Sequence, residues 1–401
     1  MDLDSLEKQA HILLQESCSP HGILASPSEQ DNYRRLWSRD SMIAGIAGLL
    51  TGNETVIEGF RKSILTLSEH QHERGMIPSN VSPDRPQPEI SYGTLAGRVD
   101  ATTWFIIGAG LYLLHEHNKR LKKTLHPNIK QALKILDAWE FNGRGLLYTP
   151  LSGNWADEYP IEGHTLYDNI LRMWALKLYA ELYEDRNHRK QAYIIKERIE
   201  INFWPQKTVL DHPGVYHRQA FQEAADQDLT HFACAIDPRG YNMHFDTAGH
   251  SLALLLGLAS GDQTEHINNH IANIFEDIGA SLLPAFWPII TEKDESWPAL
   301  RQNYSYDFKN KPYHFHNGGI WPVWMGWFAL GMTKAGHSST AENMLQALIE
   351  IENPEDLEFC EYIASDTLRP GGKKRLCYSA SGLLFLIHAV RNGSLDKLQL
   401  N

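Results

Sequence analysis

The chain has 401 residues, 42% hydrophobic and 21% charged, with a formal net charge of -12. That composition is of a folded globular protein and excludes a disordered chain. The acidic balance, without a long basic run, argues against nucleic acid or anionic membrane as partners and suits a neutral ligand, or plain solubility. The N-terminal MDLDSLEKQAHILLQES lacks the basic start and apolar core of a signal peptide. The most apolar run, Trp104 to Leu114, is short of the roughly 20 residues that span a bilayer. Cys18, Cys234, Cys360 and Cys377 form no CxxC pair, so free thiols in a reducing, cytoplasmic compartment are expected. No low-complexity linker divides the chain, and a single domain over 1–401 is expected; the sequence leaves assembly into a homo-oligomer open.

Apolar periodicity predicts twelve helices. The first, 2–16, is followed by a long loop ending in Leu36-Trp37-Ser38-Arg39-Asp40 and a helix over 39–51. After Gly52-Asn53 comes a helix over 54–71, a loop closing on Gly97-Arg98-Val99-Asp100, and a helix over 101–116. The helix over 127–140 leads through Ser152-Gly153-Asn154-Trp155-Ala156-Asp157-Glu158-Tyr159 to one over 164–184. Asp185 links it to 186–203; a loop over about 204–244, with Asp226, Asp228 and Asp237 and no evident role, precedes the helix 245–259. Ser260-Gly261 leads to 262–277, and Tyr313-His314-Phe315-His316-Asn317-Gly318-Gly319-Ile320-Trp321-Pro322 opens the helix 318–335. The last pair, 338–352 and 378–392, encloses Phe359-Cys360-Glu361-Tyr362.

Two kinds of helix alternate. Segments such as 54–71, 186–203 and 338–352 carry one apolar stripe, whereas SMIAGIAGLL, ATTWFIIGAGLYLL and GGIWPVWMGWFALG are apolar nearly all round and rich in small residues. Helices of the second kind must be buried on every side. Six such pairs predict an all-α fold, an (α/α)6 barrel of six outer and six inner helices; the alternative is an irregular bundle. The long loops then share one face, at the N-terminal ends of the inner helices, and loops of that length are usually functional.

These loops hold acids among aromatics, as carbohydrate chemistry requires. Inverting hydrolysis needs a protonated acid at the leaving oxygen and an ionised carboxylate that activates water, about 6.5–9.5 Å apart. Asp40 follows Arg39 and Asp100 follows Arg98 by two residues; arginines held close keep carboxylates ionised and suited to gripping hydroxyls. Asp157, between Trp155 and Tyr159 with no cation adjacent in sequence, reads as the general acid, with Glu158 as rival. Glu361, between Phe359 and Tyr362, reads as the base, with Glu358 and Asp366 as weaker candidates. His316 and Asn317 complete the sugar contacts, and Trp37, Trp155, Trp321 and Tyr362 supply flat faces. Each motif has a plainer reading: Asp40 and Asp100 as helix caps, Trp155 and Tyr159 as core, His316-Asn317 as a helix start with Pro322 in the first turn. No HExxH or compact ligand set is present, and neither metal nor cofactor is expected. A sugar 2-epimerase using His250 and His316, or a non-catalytic sugar-binding protein, are the alternative functions.

With these segments in place the chain resembles the six-hairpin glycosidases, above all the neutral/alkaline invertases (glycoside hydrolase family 100) and the related inverting families of bacterial α-glucosidases, trehalases and mannosylglycerate hydrolase. The stretch from Tyr306-Asp307-Phe308-Lys309-Asn310-Lys311-Pro312 through Val323 is similar to the invertase pattern DPKNxPWxYHNGGxWPV. Phe359-Cys360-Glu361-Tyr362, followed by Lys373, Lys374 and Tyr378, resembles WPEYYDG…KQARKYQ. Arg39-Asp40 and Gly97-Arg98-Val99-Asp100 resemble the family's first two inner-helix starts. The resemblance implies an inverting exo-acting hydrolase of a small α-linked disaccharide or glycoside, with Asp157 on the family's general acid and Glu361 on its base. The third loop departs from the invertase pattern: Trp155-Ala156-Asp157-Glu158 stands where invertases have an IDRR-type sequence, and is similar instead to the SGWD motif of trehalases.

Overall fold

The structure, a computed structural model, describes residues 3–83, 87–351 and 358–400. It contains the twelve expected helices as outer–inner pairs: α1 (Leu3–Glu16) and α2 (Ser38–Thr51), α3 (Glu54–Glu69) and α4 (Val99–Glu116), α5 (Lys119–Ala138) and α6 (Leu166–Tyr183). The second half pairs α7 (Arg186–Asn202) with α9 (Thr247–Leu255), α10 (Gly261–Ile278) with α12 (Pro322–Lys334), and α13 (Ser338–Ile349) with α14 (Cys377–Val390). Two short helices that periodicity does not predict, α8 (Arg218–Ala225) and α11 (Trp297–Gln302), lie in the fourth and fifth long loops. Expected helix ends at Asp2 and Glu352 lie outside the described residues.

The inner helices pack in a closed cycle, α2 on α4, α6, α9, α12, α14 and back to α2, which makes the architecture an (α/α)6 barrel. Their small residues set the spacing. A Cβ on Gly326 would lie 2.1 Å from the Gly382 carbonyl oxygen, and one on Gly382 2.2 Å from that of Pro322, so α12 and α14 touch backbone to backbone. Gly326→Ala is therefore expected to lower stability by about 1–3 kcal/mol through overpacking, measurable as a drop in thermal midpoint; an unchanged midpoint would contradict this packing.

The short links reuse one device. Gly52 is left-handed at φ 72° and Asn53 caps Val56; Glu184 is left-handed and Asp185 caps Asn187 and His188; Ser260 and Gln263 form a reciprocal capping box. The same device explains why α5 begins at Lys119 rather than at 127. His117 takes the left-handed turn at φ 52° and Asn118 caps Leu121. Neither a histidine in that role nor Pro127 inside the helix follows the usual glycine and proline signals.

On the opposite face, the start of each inner helix leans on the following loop. Ser38 N–H donates to Ser79 O (2.9 Å), Val99 to Gly153 (2.9 Å), Leu166 to Cys234 (2.8 Å), Thr247 to Ala285 (3.1 Å), Ile320 to Ile363 (2.8 Å) and Cys377 to Ala25 (2.9 Å). Five of these bonds meet an N–H in the first turn that the helix leaves unpaired; the sixth, from Ile320, is half of a reciprocal bridge with Ile363 two residues ahead of α12. The six form a ring that runs once around the barrel mouth. The fourth loop belongs to this ring: Ala235–Asp237 pairs with His164-Thr165 and with Gly240–Asn242. Among the described residues no helix is long and apolar enough to cross a membrane, and the four cysteines are free thiols.

Candidate active site

A cleft of about 780 Å³ opens inside this ring, lined from the first, third, fifth and sixth long loops. Trp37, Arg39, Asp40, Trp155, Asp157, His316, Trp321, Glu361 and Tyr362 line it. Arg98 and Asp100 border a small adjoining recess with Trp37, Arg39, Trp155 and Asp157. Asn317 does not reach the cleft. It is fully buried and its amide pins the loop, donating to Ile290 O (2.8 Å) and Asn310 O (3.1 Å) and accepting from Ile290 N–H (2.7 Å). Its expected sugar contact is corrected to a structural one.

The cation pairing inferred from sequence neighbours is also corrected. Arg98 bonds Asp157 Oδ2 at 2.5 Å, not Asp100, and its other amino group donates to Ser152 O. Asp100, 1% exposed, takes Arg39 instead at 2.8 Å and lies within 3.4 Å of the Tyr167 hydroxyl. Asp157 therefore has a cation beside it. Asp40 lies 3.8 Å from Arg39 Nε, and burial outweighs that arginine, so its carboxyl is pushed above the ordinary range rather than held below it. Neither Asp40 nor Asp100 caps its helix: the caps are Trp37 and Arg98, without side-chain bonds.

Glu361 is held from two sides. The Tyr33 hydroxyl donates to Oε1 and the Lys373 N–H donates to Oε2 at 3.2 Å, while Glu361 N–H donates to Lys373 O at 2.7 Å. Burial raises its carboxyl and these two donors oppose that. Gly372 makes the position available: it sits at φ 72°, and a Cβ there would meet Glu361 Oε2 at 2.2 Å. Gly372→Ala is expected to displace Glu361 and cut kcat by about 10²-fold, the usual effect of an ångström-scale misplacement, with a loss of about 1–2 kcal/mol of stability from the left-handed backbone. Full activity would show that Glu361 needs no such placement.

The aromatics form one cluster. Trp155 meets His316, Trp321 and Trp324 edge-on, with centroids 5.1–5.3 Å apart, and stacks on Phe286. His316 lies flat on Trp321 at 5.2 Å and burial keeps its imidazole neutral, well below the usual value. Six buried polar atoms of the lining have no hydrogen-bond partner in the protein: Arg39 Nε, Asp40 Oδ2, Trp155 Nε1, Glu158 Oε2, His316 Nδ1 and the Tyr378 hydroxyl. Such groups are costly unless hydroxyls meet them, and a sugar carries hydroxyls on every side.

Three lining residues are not among the expected site residues, although Lys309 and Tyr378 stand in the invertase-like stretches and only Tyr33 carries no sequence signal. Tyr33 pairs with Glu361 across 328 positions. Lys309 bridges Glu158 (2.8 Å) and Asp307 (3.3 Å), and Tyr378 lies under Arg39, 5.5 Å from its guanidinium. His250, by contrast, is fully buried, accepts the Phe232 N–H at 3.1 Å, and has its other nitrogen on Asp246 O at 2.7 Å. It is not part of the cleft. Among the described residues no group of three or more potential ligands could hold a metal ion.

The closed double ring of helices is the fold of the six-hairpin glycosidases. Within that class the sequence is similar to alkaline and neutral invertases, whose family pattern matches residues 217–391. The chain is 30% identical to alkaline/neutral invertase C, mitochondrial, of Arabidopsis thaliana over 437 aligned positions, 93% of this chain and 64% of that protein. It is 22% identical to probable alkaline/neutral invertase A, chloroplastic, of the same plant, over 84% and 63%. The chain thus spans just under two thirds of the length of these relatives. Mannosylglycerate hydrolase from Thermus thermophilus in complex with glucose superposes with a TM-score of 0.66 at 16% identity, over 95% of this chain and 99% of that one. A bacterial glucoamylase complexed with acarbose gives 0.63 at 13%, over 98% and 57%. At such identities the structural likeness speaks for the fold.

Proposed function

We propose that the chain is an inverting, exo-acting glycoside hydrolase, acting as one catalytic domain on a small α-linked glucoside of the sucrose type. The observation that carries the reading is the setting of Glu361: a carboxylate with a hydroxyl and an N–H donating to it, in the same cleft as Asp157. Two donors favour the ionised, accepting form that a general base requires. Asp157 is the general acid by its likeness to the family's acid position; the Arg98 bond to Oδ2 favours the ionised form and opposes that role, and leaves Oδ1 to carry the proton to the glycosidic oxygen. Arg39, Asp40 and His316 grip the sugar's hydroxyls and Trp37, Trp155, Trp321 and Tyr362 its C–H faces, with Arg98 and Asp100 behind them. The similarity to invertases supports sucrose; the trehalase-like third loop widens the panel.

Incubation with sucrose, trehalose, maltose, isomaltose, glucosylglycerate and mannosylglycerate, followed by proton NMR, tests this. The expected first product of an α-glucoside is β-glucose. Release of α-glucose would mean retention, and epimerised sugar without hydrolysis would revive an isomerase. The free thiols suit a reducing, cytoplasmic compartment, although the relatives are named for mitochondria and chloroplasts.

One observation favours a second acid. Burial pushes the Glu158 carboxyl up to about 7 against the pull of Lys309, a value suited to proton donation near neutrality. If Glu158 is the acid, Glu158→Gln removes the alkaline limb of the kcat profile; if Asp157 is, that limb survives Glu158→Gln and disappears in Asp157→Asn.

A further inference from the structure

Asp168 takes no part in the cleft, yet it is fully buried in the first turn of α6. A first-turn acid ordinarily faces solvent and complements the helix dipole. Here a single oxygen, Oδ2, accepts three bonds: from Thr165 Oγ1 (2.7 Å), Thr149 Oγ1 (2.9 Å) and Asn154 Nδ2 (2.9 Å). Oδ1 has no partner. Two of the three donors, Thr149 and Asn154, belong to the loop 149–157 that leads to Asp157, while Thr165 directly precedes α6. Asn154, itself fully buried, passes the constraint on: its Oδ1 accepts the Ala156 N–H at 3.1 Å, one residue before Asp157. The far side of the loop is held at the start of α4, where Val99 N–H donates to Gly153 O and Arg98 to Ser152 O and Asp157.

We infer that Asp168 and Asn154 are positioning residues for the general acid: together they fix the loop so that Asp157 stands at proton-transfer distance from the leaving oxygen. The inference rests on Asp157 being the acid. Hydrolysis breaks the bond between anomeric carbon and glycosidic oxygen; that oxygen takes the proton of Asp157, while water attacks the carbon and gives its proton to Glu361. A misplaced acid therefore harms only substrates whose leaving group needs a proton. Fluoride leaves without one. In α-glucosyl fluoride the carbon–fluorine bond breaks, and water and Glu361 act unchanged.

The test compares α-glucosyl fluoride with the oxygen-linked disaccharide that the substrate panel selects. Asn154→Ala and Asp168→Ala are each expected to lower kcat on the disaccharide by about 10²-fold, while hydrolysis of the fluoride stays within about 3-fold. Asp168→Asn, which keeps an acceptor oxygen, should recover most of the disaccharide rate. An equal loss on both substrates, or no loss on either, would overturn the inference, since general loosening of the barrel slows both. Should Asp168→Ala not fold, Asn154→Ala decides alone, because it leaves the two threonine bonds in place. Asp157→Asn is measured alongside. If it shows the fluoride-sparing pattern and the Asn154 and Asp168 variants do not, only the positioning role falls; if it too loses both rates equally, the acid assignment is wrong and the positioning role falls with it.

Discussion

Glu361→Gln is expected to lower kcat by about 10²–10⁴-fold, the range contributed by a general base, and the protein should lose no stability at neutral pH. The sign follows from the carboxyl's setting. Its folded pKa is raised above the ordinary value of 4.5 by burial, so the folded state holds the proton more firmly than the unfolded chain. Stability from this group is then complete below the unfolded value and is lost as pH rises through the folded one. Glutamine cannot ionise and escapes that loss, which offsets the 3.2 Å Lys373 N–H bond that its amide nitrogen cannot accept; its one oxygen stays with the Tyr33 hydroxyl. The same raised pKa sets the acidic limb of the kcat profile, which should lie above the range of an ordinary glutamate. Asp157→Asn should show a comparable loss on oxygen-linked substrates. Rates on the disaccharide, with thermal melts at pH 5 and 7, check all of this, and turnover by the Asp157→Asn, Glu361→Gln double variant would refute the pair.

Arg39→Met should be the most destabilising single change at the site. Asp100 is 1% exposed and its 2.8 Å bond to Arg39 is its ion pair; Asp40 lies 3.8 Å from the same guanidinium. Removing the cation leaves buried carboxylate charge uncompensated, at a cost of about 3–5 kcal/mol. Lysine would not restore it, because one ammonium cannot replace a planar fork that faces two acids. Denaturant unfolding measures the loss, and Asp100→Asn in the Arg39→Met background should regain part of it. A loss under about 1 kcal/mol would place the pair among weak surface bridges.

Why the barrel was readable and the charge pairing was not comes down to distance along the chain. Helices such as α2 and α14 are buried all round, and that burial shows as continuous apolar, small-residue runs within a dozen positions. That Asp157 and Glu361 face the cleft was legible for the same reason, since Trp155 and Tyr362, which also line it, stand within two residues of them. Partnership is different. Arg98 is two residues from Asp100 but bonds Asp157, 59 positions away, and Arg39 passes over its neighbour to bond Asp100, 61 positions on. Adjacent residues at a helix start point to different sides, so sequence proximity predicted the wrong couples. Asn317 shows the same limit: in sequence it is one more polar residue beside His316, and only the fold turns its amide toward Ile290. Tyr33 has no distinguishing neighbour at all.

The ring of backbone bonds around the mouth also bears on biogenesis. The contacts that define the cleft cross its junctions: Arg39 to Asp100 spans the first and second loops, Arg98 to Asp157 the second and third, and Tyr33 to Glu361 the sixth and first. As the hairpins are added in order during synthesis, the wall of the cleft formed by Arg39, Asp100, Arg98 and Asp157 can assemble early. The setting of Glu361 cannot, for Tyr33 precedes the first inner helix of the barrel and Glu361 the last. Hydrolytic competence should therefore arrive abruptly, when α14 docks on α2, and no shorter nascent chain should turn over substrate, however much of the barrel it has built.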